Sequence, residues 1–311
     1  MSNQREKILN DKRIGLFGKG GSGKSTVAVL LAKTLRSRGY DVCLLDADST
    51  NVGLSQALGL AHDPEPLLDF YGGMVFSGGF VTCPVDDPTP LVGAHVAVDE
   101  LPSIYQSDTP EGIHLFVAGK MGDKGPGAGC DGPIAKIARD FKPDYEDASP
   151  VILVDYKAGF EDSARGNIIS LDWIIVVIDP TSAAMQMAIN MQEMVDQLQA
   201  GGLPATAHLD HPELVELVNQ LYRNASLKGI LTILNRIPDE ETELFMRRKL
   251  AQHGIHPIGT IYDYPALSKA WLRGMPLADT AARPEVAEIA EALEEAERRQ
   301  TSQQVIAPLT G

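Results

Sequence analysis

The chain has 311 residues, 44% of them hydrophobic, and a net charge of −15; this suits one large α/β core and argues against a nucleic-acid partner, whose phosphates call for lysine and arginine. No apolar run is long enough to span a bilayer, and residues 1–12 are polar with no apolar signal-peptide core. The three cysteines, Cys43, Cys83 and Cys130, are too widely spaced for a disulfide framework or a C-x-x-C pair, so the expectation is a soluble cytoplasmic protein with no membrane or nucleic-acid partner.

In chain order, Arg13–Phe17 predicts a first strand, followed by Gly18-Lys19-Gly20-Gly21-Ser22-Gly23-Lys24-Ser25-Thr26. From Gly18 to Ser25 this is the phosphate-loop pattern G-x-x-x-x-G-K-[ST]. The glycines let successive N–H groups turn toward phosphate oxygens, and a helix over Lys24–Ser37 aims its N-terminus at the same anion. Lys24 offers a point charge to the β- and γ-phosphates, and Ser25 a hydroxyl to Mg²⁺. A second strand, Asp41–Leu45, runs into Asp46-Ala47-Asp48 and a helix over Asn51–Leu58. Carboxylates at a strand's C-terminal end lie at the edge where open α/β sheets bind ligands. Asp48-Ser49-Thr50-Asn51 also reads as a helix-capping cluster, which is compatible with a catalytic role.

Residues 61–110, rich in Gly, Pro and Asp, read as long loops. A strand over Ile113–Ala118 follows, then the glycine-rich Pro126-Gly127-Ala128-Gly129-Cys130-Asp131-Gly132-Pro133 and a helix over Ile134–Phe141. Val151–Asp155 is a strand closed by an aspartate, a Walker B position, with Gly159 four residues on. The remaining strands are Trp173–Ile178, Ile230–Leu234 and His256–Ile261. The remaining helices are Ala183–Gln199, Glu213–Tyr222, Glu240–His253, Pro265–Leu272 and Pro284–Arg299. Residues 201–212 read as a second loop insert and residues 300–311 as a flexible tail. Apolar runs alternating with helical patterns predict a doubly wound, mostly parallel sheet. One domain fills residues 1–311, with its core over about 12–280.

The extra lysine at position 19 makes the loop resemble the deviant Walker A ATPases of the SIMIBI class of P-loop NTPases: the MinD/ParA group, nitrogenase iron protein and metal-centre maturation ATPases. The resemblance implies ATP and Mg²⁺ as cofactors and an ATP-dependent homodimer. In that setting Lys19 reaches the partner's nucleotide, and Asp48 orients the attacking water. Asp46 and Asp155 join Ser25 around Mg²⁺, Asp46 as an outer partner, and the Gly159 N–H senses the γ-phosphate. Asn235 and Arg236, closing the sixth strand, resemble the adenine-recognition pair, since an amide can both donate to and accept from the base edge. The usual second base turn is shifted here to Tyr262-Asp263-Tyr264-Pro265.

The Gly-Ala-Gly-Cys130 loop resembles both nitrogenase iron protein and the carbon monoxide dehydrogenase nickel-insertion ATPases (CooC type), whose cysteines meet across the dimer axis. Iron protein has a second cysteine after Walker B; Asp155–Gly166 contains none. The nickel-insertion type carries Cys-x-Cys where this chain has Cys130-Asp131-Gly132, and Lys157 stands where its members often have Glu. Cys130 with Asp131 is thus a candidate pair for Ni²⁺ or Zn²⁺ at a dimer axis, set against the reading of a lone packed cysteine. Branch-level likeness extends over most of residues 12–280. The implied function is an ATPase maturing a client metalloenzyme by nickel insertion. A MinD/ParA-type spatial organiser and an iron-protein-like electron donor are the alternatives. The acidic last helix speaks against anionic lipid, and the cysteine count speaks against the electron donor.

Overall fold

Runs of Val, Ile and Leu form strands buried on both faces of a central sheet. The computed structural model describes residues 7–121, 130–278 and 282–306. Its strands are β1 (Arg13–Phe17), β2 (Val42–Ala47), β3 (His95–Ala97), β4 (Ser107–Asp108), β5 (Ile113–Val117), β6 (Lys142–Asp144), β7 (Val151–Tyr156), β8 (Trp173–Ile178), β9 (Gly229–Ile237) and β10 (Gly259–Tyr262). Its helices are α1 (Lys24–Ser37), α2 (Leu54–Leu58), α3 (Leu67–Phe70), α4 (Gly132–Asp140), α5 (Glu161–Ala164), α6 (Ser182–Gln199), α7 (Pro212–Arg223), α8 (Glu240–Ala251), α9 (Pro265–Leu272) and α10 (Arg283–Ile306).

Eight strands pair in the order β10-β9-β8-β1-β7-β2-β5-β4, all parallel except the short edge strand β4. Alternate residues of each strand serve opposite cores. In β8, Trp173, Ile175 and Val177 pack toward α1 and α10, whereas Ile174, Val176 and Ile178 face the core that includes residues of α4, α6 and α8. This period of two is what a strand between two helical layers must show. The chain crosses from β7 to β8 around β1, so the carboxyl ends of β1, β2 and β7 border one crevice, where doubly wound folds bind ligands.

Three expectations are corrected. Residues 61–110 are not simply surface loops. They hold α3, β3 and β4, and they bury Leu67, Leu68, Met74, Val81 and Leu101 in the main core. These apolar residues come singly or in pairs, so no periodic run announced them. The helix expected from Asn51 starts only at Leu54, because Gly53 sits at φ 104° as its N-cap. The last helix continues to Ile306 rather than ending at Arg299. Its acidity is partly structural: Glu294 and Glu297 are buried, receiving Arg38 at 2.7 Å and the Trp173 indole N–H at 2.8 Å.

Candidate nucleotide site

The phosphate loop joins β1 directly to α1. Gly23 caps α1 in a left-handed conformation (φ 86°), and a Cβ there would run into the Asn235 amide. Gly18 packs so tightly that a Cβ would collide with the Val177 carbonyl. Crowding, as much as flexibility, therefore requires glycine at both positions. Gly20, Gly21 and Lys19 lie at the exposed mouth, Ser22 is buried, and Thr26 donates no charge but accepts the Trp271 indole N–H at 2.8 Å. Lys24 is only 6% exposed, with its ammonium close enough to Asp155 to lower that carboxyl's pKa. The Lys19 carbonyl accepts from the Ser22 N–H at 3.1 Å, and its side chain has no hydrogen-bonding or ionic partner among the described residues.

Behind the loop, the Ser25 hydroxyl donates to Asp155 Oδ2 at 2.6 Å and accepts from the Asn51 amide at 2.9 Å. Asp155 is fully buried, and its Oδ1 has no partner among the described residues. An orphaned buried carboxylate oxygen is costly unless something positive arrives there. Burial raises its pKa to about 6, against the pull of Lys24 and Ser25. This oxygen and the Ser25 hydroxyl suit a hard cation with oxygen ligands such as Mg²⁺. Asp46 is placed differently. Its Oδ2 accepts from Lys120 at 2.7 Å and its Oδ1 from the Asp48 N–H at 3.1 Å, so both oxygens are engaged. Burial pushes its pKa up to about 7, with Lys120 opposing.

Lys120, on the loop after β5, also donates to the carbonyls of Asp48 and Asn51, both at 2.7 Å. It therefore clamps the segment that presents Asp48. Asp48 Oδ1 closes an Asx turn, accepting from the Thr50 N–H at 3.0 Å, the Thr50 hydroxyl at 2.8 Å and the Asn51 N–H at 3.1 Å. The capping cluster seen in the sequence is thus a turn that fixes the carboxylate and leaves Oδ2 without a partner among the described residues. Gly159, at φ 102°, donates its N–H to the Gly18 carbonyl at 3.1 Å, so this N–H is spent on the phosphate loop here.

Asn235 and Arg236 are tied to the same loop. The Asn235 amide donates to the Ser22 carbonyl at 2.7 Å, and the Arg236 guanidinium to the Gly21 carbonyl at 3.1 Å. Arg236 has φ 58°, rare for a non-glycine residue, and sits where the β9–β10 pairing skips a residue. Such strain persists only where surrounding contacts enforce it. A cleft of about 270 Å³ opens beside them, lined by Gly23, Thr26, Asn235, Arg236, Tyr262, Tyr264 and Trp271 among others. Of the aromatic walls, Tyr262 and Tyr264 fall in the shifted base turn noted in the sequence, whereas Trp271 carried no local signal.

Cys130 lies at the head of α4, but Asp131 is not free to join it as a ligand. Its Oδ2 accepts from Lys157 at 2.7 Å and from Ser49 at 3.3 Å, and its Oδ1 pairs with Arg165 at 2.8 Å. These partners hold the carboxyl below its usual range despite burial. A metal at Cys130 that drew on Asp131, as the sequence suggested, would have to displace Lys157 and Arg165. No group of three or more His, Cys, Asp or Glu side chains suited to a metal occurs among the described residues. No described helix is long and apolar enough to cross a membrane.

A profile of the CobQ/CobB/MinD/ParA nucleotide binding domain matches residues 16–277. An ATP-binding protein of Methanocaldococcus jannaschii is 30% identical over 60% of this chain and 74% of its own length. The carbon monoxide dehydrogenase accessory protein CooC of Rhodospirillum rubrum is 28% identical over 63% of this chain and 73% of its own length. Among solved structures, the cell division ATPase MinD of Pyrococcus furiosus superposes with a TM-score of 0.53 at 19% identity, covering 92% of this chain and 99% of that one. MinD of Aquifex aeolicus gives a TM-score of 0.54 at 18% identity, over 91% and 97%. A MinD of Pyrococcus horikoshii in complex with Mg-ADP gives 0.53 at 18% identity, over 96% and 99%. A profile match across most of the chain, on a sheet and phosphate loop of this form, assigns it to the CobQ/CobB/MinD/ParA family of P-loop ATPase domains.

Proposed function

We propose that the chain is a Mg²⁺-dependent ATP hydrolase that dimerises on ATP and serves the maturation of a client metalloenzyme, with Ni²⁺ or Zn²⁺ as the cargo. The observation that carries the catalytic part is the convergence of Lys24, Ser25, Asp48 and Asp155 at one sheet edge, with Asp155 Oδ1 unpartnered among the described residues. Ser25 and Asp155 would hold the Mg²⁺ ion, which supplies charge neutralisation on the phosphates. Lys24 steadies the transferred phosphoryl group. Asp48, fixed through Oδ1, turns Oδ2 to the attacking water and accepts its proton. Asn235 and the aromatic cleft receive the base. Lys19, exposed and unpaired among the described residues, reaches the nucleotide of a second copy. The maturation role is supported by similarity to the CooC protein and by Cys130 on its glycine-rich loop.

The test is Mg²⁺-dependent phosphate release and light scattering on one set of variants. Asp48→Ala should bind ATP without turning it over and accumulate as a dimer, and adding Lys19→Ala should dissolve that dimer. Turnover by Asp48→Ala at the wild-type rate, or a monomer under every nucleotide condition, overturns the switch. Isothermal titration of Ni²⁺ and Zn²⁺ with and without ATP tests the cargo. Because metal and ATP binding would be linked through the dimer, each must tighten the other by the same factor. A positioning ATPase is the second reading, since the solved relatives include cell division ATPases. Co-pelleting with anionic vesicles or DNA would favour it.

A further inference from the structure

Cys83 and Cys130 are 47 positions apart in sequence, yet both sulphurs flank Gly132. A Cβ built on Gly132 would stand 2.5 Å from Cys83 Sγ and 3.2 Å from Cys130 Sγ. Residue 132 can only be glycine here because sulphur fills its side-chain space. Two thiolates on a tetrahedral Zn²⁺, with Zn–S bonds of ~2.3 Å, stand roughly 3.8 Å apart. The two sulphurs share the side-chain space of Gly132, Cys83 buried and Cys130 partly exposed.

Cys83 sits in a braced turn. It opens the turn Cys83-Pro84-Val85-Asp86-Asp87, closed by the Asp87 N–H donating to the Cys83 carbonyl at 2.9 Å. Burial pushes the Cys83 thiol pKa up, and the backbone N–H groups of Val85 and Asp86 at its sulphur oppose that rise. The Arg165 guanidinium lies close enough for its charge to act on Cys83. Lys136 of α4, itself buried, reaches across to the Thr82 hydroxyl at 2.8 Å and to Asp87 Oδ2 at 3.0 Å. Thus the turn carrying Cys83 is bolted to the helix that Cys130 precedes. A packed cysteine needs neither this turn nor this brace.

We propose that Cys83 and Cys130 of one chain form a two-thiolate site for a thiophilic divalent cation, with Cys83 taking the place that the sequence suggested for Asp131. This rests on the metal-handling reading of the chain. Binding replaces two S–H protons with two metal–sulphur bonds; the protons pass to solvent and no electrons move. The remaining coordination positions stay open, as an ion that must be handed on requires.

The experiment titrates Ni²⁺ and Zn²⁺ into pre-reduced full-length protein, reading the near-ultraviolet thiolate-to-nickel band, for wild type, Cys83→Ser and Cys130→Ser. In parallel, a trivalent arsenical, which bridges two neighbouring thiols, is titrated into wild type without metal. Support is one arsenical bound per chain, together with a loss of about 100-fold or more in metal affinity in either variant, beyond what changes outside the ligand set cause. If Cys130→Ser loses the metal and Cys83→Ser binds as wild type, the pair is overturned while a Cys130-based metal function stands. If both variants bind as wild type, both ideas fall. Wild type that does not take up the arsenical overturns the pair even if a serine variant fails to fold.

Discussion

Replacing Asp155 by asparagine separates the cost of a buried carboxylate from its use. The side chain is fully buried, and desolvation lifts its pKa to about 6, net of the attraction of Lys24 and the Ser25 hydroxyl. Unfolded, it titrates near the ordinary aspartate value of 3.8. The folded state therefore holds the proton more tightly, so the stability this group confers is present below the unfolded value and is lost as pH rises through about 6. Integrated over that window, the ionised group costs about 3 kcal/mol at pH ~7.5 and about 1 kcal/mol at pH ~4.5. Asparagine keeps an acceptor for Ser25 and carries no charge. It also relieves Asp46, whose pKa Asp155 helps to raise. Urea denaturation of the nucleotide-free protein should find Asp155→Asn more stable by about 3 kcal/mol at the higher pH and by about 1 kcal/mol at the lower. The same variant should lose the Mg²⁺-dependent part of its ATP affinity, and wild-type Mg²⁺–ATP affinity should fall as pH drops through about 6. A variant no more stable than wild type at pH ~7.5, or equally stabilised at both pH values, refutes the reasoning.

Lys24→Ala should abolish ATP binding, measured with a fluorescent ATP analogue; affinity within a few-fold of wild type would remove the lysine from the phosphate site. Lys120→Met leaves the buried Asp46 without its cation and should cost about 3 kcal/mol. That cost should grow as pH rises above about 7, where Asp46 must ionise unpaired, and a pH-independent loss in denaturation would contradict the clamp. Gly23→Ala forces a side chain onto left-handed backbone and into Asn235, so a loss of about 2 kcal/mol or more is expected, with weakened nucleotide binding. Asp131→Asn uncouples Lys157 and Arg165. Because the folded carboxyl is held low, its contribution is present at neutral pH and lost on acidification. Thermal melts of the variant and wild type should therefore converge as pH falls.

The alternating apolar runs were enough to place β1, β8, α1 and α9 at their observed limits, because buried parallel strands and glycine-bounded helices leave strong local signals. The nucleotide loop was legible for the same reason: its crowding forces glycine at fixed spacing. What the sequence hid was convergence. Lys120 grips Asp46 across 74 residues, and Cys83 meets Cys130 through a segment whose composition suggested loops. Gly132, which looked like a missing ligand, is a position whose side-chain space another residue fills. Asp131 looked like a donor for metal because its two cationic partners lie 26 and 34 residues downstream, beyond any local pattern. Asn235 and Arg236 were marked for the base, but their bonds to the Ser22 and Gly21 carbonyls could not be read from the dipeptide.

The 3.3 Å bond from the Ser49 hydroxyl to Asp131 spans two neighbourhoods that are each only one residue deep. On one side of it, Asp48 adjoins Ser49; on the other, Cys130 adjoins Asp131. The Cys130 thiol and the carboxylate proposed to direct water are therefore joined through three consecutive links, with no secondary-structure element between them. If metal binding at Cys130 shifted Asp131, the Ser49 bond would carry that shift to the peptide beside Asp48. Loading of cargo and timing of hydrolysis would then be two readings of the same short lever.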